Sequence, residues 1–95
     1  MRVVVGYLGQ VRVNMSISRE ELLLEEHSAI REAVEALHRK HGARFSNAAL
    51  DRQTGELSPY LVVTVNGVNA YEIKGLDTVL CDGDEVVFVP PLTGG

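Results

Sequence analysis

The chain has 95 residues, nine of them basic and thirteen acidic, for a net charge of −4. This length predicts one domain. The acidic balance argues against a nucleic-acid partner, whose phosphates would be repelled, and suits docking onto a basic protein surface. No apolar run approaches the ~18 residues of a membrane span, so we expect no membrane partner. A single cysteine, Cys81, excludes an internal disulfide and fits a reducing, cytoplasmic compartment.

The N-terminal segment is predicted to form two strands. Residues 2–8 are rich in valine and apolar on both faces, which is typical of a central strand. Residues 11–18 alternate in part like a strand, but Asn14 and the serines weaken that pattern. Residues 21–25 are the predicted second strand, although their glutamates would also suit a helix.

One helix is predicted over residues 29–41, where apolar side chains recur at helical spacing. The stripe consists of Ile30, Val34, Leu37 and His41. Ser28 is a plausible N-cap, the basic residues 38–41 suit the last turn, and Gly42 is the expected terminator.

The segment 43–59 has no clear pattern, but its large apolar residues are expected to pack on the core. These residues are Phe45, Leu50 and Leu57, and residues 51–55 are predicted to form an exposed turn. Residues 60–65 form a predicted strand that returns over 68–73 through the hairpin signal Asn66-Gly67. A connector over 75–80 and the turn Asp82-Gly83-Asp84 lead into a last strand over 85–89.

One helix can cover only one face of the resulting sheet. In the last strand, Val86 and Phe88 point to one face, and Val87 and Val89 point to the other. We expect the first pair to meet the helix. The second pair, with Val4 and Val62, would form an uncovered apolar face suited to docking.

The last six residues are predicted to be the functional end of the chain. Pro90 and Pro91 stop the last strand, because proline has no amide proton for the ladder. The chain then ends in Leu92, Thr93, Gly94 and Gly95. A diglycine can pass through a narrow channel and leaves the terminal carboxylate as its reactive group. A frayed end is the alternative interpretation.

Four motifs of this chain resemble those of MoaD, the small subunit of molybdopterin synthase, and more distantly the thiazole-pathway sulfur carrier ThiS. They are Leu8-Gly9-Gln10-Val11-Arg12, Val65-Asn66-Gly67, residues 80–86 at the acidic turn, and the Pro-Pro-Leu-Thr-Gly-Gly end. Residues 15–20 and 44–59 match no motif of this family. The resemblance and the element order imply an α+β, β-grasp (ubiquitin-like) fold. Residues 1–89 would form a mixed sheet with one principal helix on one face, and residues 90–95 a flexible Gly-Gly tail.

The resemblance implies a carrier rather than an enzyme, with no cofactor of its own. A ubiquitin-activating-like adenylyltransferase similar to MoeB would use ATP and Mg²⁺ to adenylate the Gly95 carboxylate. A sulfur donor would then give a thiocarboxylate, and a MoaE-like large subunit of molybdopterin synthase would receive the sulfur. The residues expected to contact these partners are Val87, Val89, Pro90, Pro91, Leu92, Thr93 and Gly94.

Other candidate sites have simpler structural interpretations. Cys81 could relay sulfur, but no neighbouring base is visible that would activate its thiol. A small, partly buried residue before a turn is the simpler interpretation. His38 and His41 lack a third metal ligand and suit the end of a helix. Asp82 and Asp84 lack the other ligands of a calcium loop, and turn chemistry explains them. The sequence therefore predicts no metal site.

Several functions remain open alongside the molybdopterin-pathway carrier. A ubiquitin-like modifier would use the same activation and then join Gly95 to lysines of other proteins. A β-grasp binding module would leave the tail idle. A thiazole-pathway carrier is less favoured, because the Pro-Pro-x-Thr-Gly-Gly end resembles the molybdopterin branch more closely.

Overall fold

The computed structural model describes residues 1–91, which build a five-stranded sheet with its helices on one side. The strands are β1 (Arg2–Tyr7), β2 (Arg19–Leu23), β3 (Val62–Val65), β4 (Val68–Asn69) and β5 (Glu85–Val89); the helices are α1 (Gly9–Met15), α2 (Ile30–His41) and α3 (Ala43–Ala49). The order in the sheet is β2-β1-β5-β3-β4. The two central strands β1 and β5 are parallel, and every other pairing is antiparallel. This mixed sheet has the predicted α+β architecture.

The core lies between the sheet and the helices. Every second side chain of β1 and β5 points into it. Val5 lies opposite Val86 and Tyr7 opposite Phe88 in the parallel register, and all four side chains are fully buried. The Tyr7 and Phe88 rings stack with centroids 5.9 Å apart, and Phe45 meets Phe88 edge-on at 6.0 Å. Such aromatic pairs add to the stabilisation that burial itself supplies.

The predicted helix is confirmed as α2, with corrections to its N-cap and to the burial of Val34. Ala29 occupies the N-cap position instead of Ser28: its backbone N–H donates to Glu32 Oε1 at 2.7 Å, while the Ser28 hydroxyl donates to the Glu25 carbonyl. On the inner face Ala33 is fully buried, whereas Val34 is only partly buried. The helix ends as predicted at Gly42, which has a φ of 62°.

The segment 11–18, whose alternation suited a strand only in part, is mostly helical, because helix α1 covers Gly9–Met15. Val11 and Met15 are its buried residues, and a spacing of four is in phase with both a strand and a helix. The period alone therefore could not separate the two structures. Strand β2 is confirmed, but it begins and ends two residues before the predicted 21–25.

The unpatterned segment 43–59 contains α3, a second short helix that the sequence analysis missed. Phe45 and Leu57 are buried and Leu50 packs against the core, as expected. The Asn66-Gly67 hairpin is confirmed, with positive φ at both residues. The returning strand is shorter than predicted, because the Asn69 side chain accepts a hydrogen bond from the Tyr71 N–H and starts a 3₁₀ turn. Helix α2 is the principal helix, since it is the longest of the three α-helices within residues 1–91.

A nearly buried carboxylate, Glu20, ties β2 and β1 to the end of α2. It accepts hydrogen bonds from the Tyr7 hydroxyl at 2.6 Å and from Lys40 Nζ at 2.7 Å. His41 Nε2 lies 2.8 Å away and donates too, since an ionised carboxylate can only accept. Burial alone would raise the pKa of Glu20, but the bonds from Lys40, Tyr7 and His41 outweigh it and lower that pKa. Burial, followed by the contact with Glu20, raises the pKa of Tyr7.

We predict that Glu20→Gln lowers the free energy of unfolding at pH 7 by about 1.5–3 kcal/mol, as expected for hydrogen bonds to a charged group. Because the folded-state pKa of Glu20 is lowered, its contribution is complete above pH 4.5 and is lost as the pH falls through the folded-state value. Urea unfolding of the wild type and Glu20→Gln at several pH values between 7 and 2.5 measures the difference between their free energies of unfolding.

Glu21→Gln is the matched control, because it removes the same charge from an exposed neighbour whose partner Arg2 lies 3.5 Å away. It should change stability by less than about 1 kcal/mol. A stability gap between wild type and Glu20→Gln that stays constant down to the lowest pH would contradict the role given to this carboxylate.

Candidate functional site: the outer sheet face and the start of the tail

The sheet has an outer face that carries the apolar residues predicted for docking. Val86 and Phe88 are buried on the helix side, while Val87 and Val89 lie on the other face and are half-buried. Val89 pairs with Val62, and Val87 lies between Gly6 and Thr64 in the sheet. The predicted division of β5 into two faces is thus confirmed, and the docking role of the outer face stays a prediction.

Gly6 shapes the centre of this outer face. A Cβ at this position would lie 3.3 Å from Val87 Cγ2, so the valine side chain leans over the bare backbone. On the other side, Arg19 pairs with Gly6 in the sheet, and its Nη1 reaches across β1 to Glu85 Oε2 at 3.0 Å. The outer face therefore has an apolar part around Val62, Val87 and Val89 and a charged part around Arg19 and Glu85.

The start of the tail is fixed by the residues that follow β1. Leu8 N–H donates to the Phe88 carbonyl at 3.2 Å, which extends the central pairing by one step. Pro90 then packs on Gly9 so closely that a Cβ on Gly9 would lie 2.6 Å from Pro90 Cγ. Pro90 is half-buried and Pro91 is exposed. No local sequence pattern predicts the Gly9–Pro90 contact, because 80 residues lie between the two positions.

The remaining predicted site residues, which make up the predicted reactive end, lie outside the described residues. They are Leu92, Thr93, Gly94 and Gly95. What the structure provides is the place from which they depart, at the end of a central strand and next to the outer face.

The acidic turn has the structural role expected of it. Asp84 accepts hydrogen bonds from the Cys81 N–H at 2.7 Å and from Asn66 Nδ2 at 2.9 Å, and Asp82 accepts from the Arg2 N–H at 2.7 Å. Cys81 itself is exposed, which corrects the expectation that it is partly buried. Within residues 1–91, no three His, Cys, Asp or Glu side chains converge as a metal site.

An open groove of about 740 Å³ lies beside the start of the tail, between α1 and β2. Its lining includes Arg12, Val13 and Arg19, and among the described residues no acidic side chain contributes to it. Gly9 lines the groove and also contacts Pro90, so the groove begins where the tail leaves. Arg12 is the last residue of the motif that follows β1, and the fold places it in the same groove as Arg19.

A model of the ThiS family matches residues 5–95, nearly the whole chain. The chain belongs to the ThiS family. This assignment confirms the resemblance to the MoaD and ThiS carriers that the motifs indicated.

Individual relatives and solved structures are similar to this chain. A protein of Archaeoglobus fulgidus named as a candidate sulfur carrier protein is 32% identical over 87 residues, covering 90% of this chain and 97% of its own. The structure of SAMP1 from Haloferax volcanii has a TM-score of 0.85 at 20% identity and covers 100% of both chains. A candidate molybdopterin converting factor subunit 1 from Pyrococcus furiosus has a TM-score of 0.72 at 25% identity, covering 97% of this chain and 99% of its own. These likenesses confirm the β-grasp fold.

In addition, no helix within residues 1–91 of this ThiS-family chain combines the length and the hydropathy needed to cross a membrane.

We predict that Gly9→Ala destabilises the fold and displaces the start of the tail. Its φ of +54° disfavours any side chain, and the added Cβ would overlap the rigid Pro90 ring. Gly67→Ala is the matched control, since its φ is +84° but its Cβ would meet nothing within 4 Å. Both variants should lose about 1 kcal/mol from backbone strain, and Gly9→Ala should lose more. Equal losses in urea unfolding would show that the Pro90 contact contributes nothing.

We predict that Val87→Asp weakens binding to the partner proteins with little loss of stability, because its side chain lies on the outer face. Phe88→Ala should instead cost about 3–5 kcal/mol, as large core truncations do. Urea unfolding and a titration with the activating enzyme measure the two effects. The assignment of the faces fails if Val87→Asp unfolds the domain while Phe88→Ala leaves its stability unchanged.

Proposed function

We propose that this ThiS-family chain is a sulfur carrier whose Gly95 carboxylate is adenylated, converted to a thiocarboxylate and used as the sulfur source in molybdopterin biosynthesis. The observation that carries the proposal is the fixed departure point of the tail. Strand β5 delivers Pro90 onto Gly9 beside the half-exposed valines of the outer face. A partner that binds this face can therefore receive the following residues in a defined position.

The chemistry explains why the carboxylate must be activated. A carboxylate is a poor electrophile, because it is negatively charged and its oxygen is a poor leaving group. When a Gly95 oxygen attacks the α-phosphorus of ATP, pyrophosphate leaves and the acyl-adenylate formed is a reactive mixed anhydride. Hydrosulfide (HS⁻) supplied by the sulfur donor then attacks the carbonyl carbon, AMP departs with the electrons of the broken C–O bond, and loss of the S–H proton leaves the thiocarboxylate. The resulting thiocarboxylate sulfur is a better nucleophile than the oxygen it replaces.

The chain's own residues supply position and access in this scheme, while ATP and Mg²⁺ belong to the activating enzyme. Val87 and Val89 give that enzyme an apolar surface to cover. Pro90 and Pro91 would aim the tail. Leu92 and Thr93 would make extended main-chain contacts in the enzyme's groove, a common mode of peptide recognition. Gly94 and Gly95 carry no side chains, so they can reach a confined catalytic centre.

A protein modifier is the second candidate function, and the same terminal Gly-Gly carboxylate favours it, because both functions begin with adenylation. The two functions diverge in what attacks the activated carbonyl: sulfur in a carrier, and a lysine amine in a modifier. Mass spectrometry separates them. A carrier gains the mass difference between sulfur and oxygen at its C-terminus, whereas a modifier leaves Gly-Gly remnants on lysines of other proteins. Molybdopterin formation with the MoaE-like large subunit then tests the pathway.

We predict that deleting Gly95, or adding one residue after it, abolishes adenylation and leaves the fold intact. One extended residue spans ~3.3–3.6 Å, so either change moves the carboxylate by that distance from ATP. A misplacement of ~1 Å can already cost about a hundredfold in rate. ATP–pyrophosphate exchange with the cognate activating enzyme measures the reaction, and thermal melting checks the fold.

If the truncated chain is adenylated as fast as the full one, the carrier proposal is wrong. A non-covalent binding module would then be the better account.

A further inference from the structure

We propose that the groove beside the tail receives an acidic segment of the activating enzyme while the tail occupies that enzyme's catalytic channel. We call it the arginine groove and define it by Gly9, Arg12, Val13, Ile17 and Arg19. This inference rests on the proposed function, since it concerns the same partner. It adds a second point of recognition, separate from the apolar outer face.

The sign of the charge in the arginine groove is opposite to that of the whole chain. The net charge is −4, which favours approach to a basic surface over long distances. In contrast, the groove combines two arginines, and no acid lines it within residues 1–91. An arginine guanidinium matches a carboxylate in geometry and can bind it through two hydrogen bonds. A carboxylate-bearing segment is therefore the occupant that complements this lining.

The two arginines differ in how much of their charge is available. Arg19 Nη1 already lies 3.0 Å from Glu85 Oε2 on the outer face. Arg12 is exposed and makes no ion pair with residues 1–91. Arg12 should therefore contribute most of the attraction, and Arg19 should mainly complete the wall of the groove.

The position of the groove identifies the partner that covers it. Gly9 contacts Pro90 and also lines the groove, so an enzyme that encloses the residues after Pro90 must pass over the groove's edge. Val13 is 66% exposed beside the arginines, and covering it would remove water from the site. An ion pair is stronger where water is excluded. Once the tail has bound, a segment on the same enzyme also has a high effective concentration at the groove.

The test compares two charge reversals that change the net charge equally. Arg12→Glu alters the groove, and Arg52→Glu alters the exposed turn that follows α3. We measure KM for the carrier and kcat in ATP–pyrophosphate exchange, at low and high salt, with thermal melting as the fold control. Arg12→Glu should raise KM about tenfold, leave kcat unchanged and flatten the dependence of KM on salt. Arg52→Glu should behave like wild type.

Arg12→Gln guards against a folding defect, since it keeps a long polar side chain at the end of α1. It should raise KM by a smaller factor in the same direction. If Arg12→Glu and Arg52→Glu have the same KM and salt dependence, the inference is overturned and the proposed function stands. If the wild-type chain is not adenylated at all, the proposed function fails and the inference falls with it.

Discussion

The parallel pairing of β1 with β5 is the constraint on which the rest of this structure depends. Parallel strands end at the same edge of a sheet, so the last residue of β5 lies beside the residues that follow β1. Leu8 bonds to the Phe88 carbonyl and Gly9 meets the Pro90 ring. The C-terminus therefore leaves from the centre of the sheet, where the backbone on both sides is held by neighbouring strands, and not from a free edge. The proposed function, in which the end of the chain enters another protein's active site, would benefit from such a rigid base.

Tyr7 connects this central pair to the helical layer. Its ring stacks on Phe88 at 5.9 Å, and its hydroxyl donates to Glu20, which also binds Lys40 and His41 at the end of α2. A buried carboxylate is costly unless its lone pairs are satisfied, and here three donors satisfy it. The residue that helps to fix β5 thus also fixes where α2 ends against the sheet. Removing one of these donors should therefore also destabilise β5, the strand that precedes the tail.

The sequence predicted what depends on local patterns and missed what depends on contacts between distant residues. The period of two in residues 86–89 assigned the two faces of β5 correctly, and the stripe containing Ile30 and Leu37 identified α2. In contrast, Val11 and Met15 are spaced for either a strand or a helix, so α1 was missed. Ala29, the residue that takes the N-cap position in place of Ser28, forms an isolated β-bridge with Val79, which is distant in the sequence. The Gly9–Pro90 contact and the arginine groove exist only after β1 and β5 have paired.

In the proposed function, Gly94 and Gly95 carry no side chains, so recognition by the partner must depend on the folded domain. A channel that admits Gly94 and Gly95 cannot distinguish them from any other diglycine terminus, because there is no side chain to bind or exclude. Specificity is a difference in affinity between right and wrong partners, so it must arise from surfaces that the partner touches at the same time. The half-exposed valines of the outer face offer apolar area, but hydrophobic contact depends little on the orientation of the partner. Arg12, which lines the same groove as Gly9, adds a positive charge to that surface, and a partner with a basic residue there would be repelled. The basic groove on an otherwise acidic chain therefore has a physical reason to lie where the tail begins.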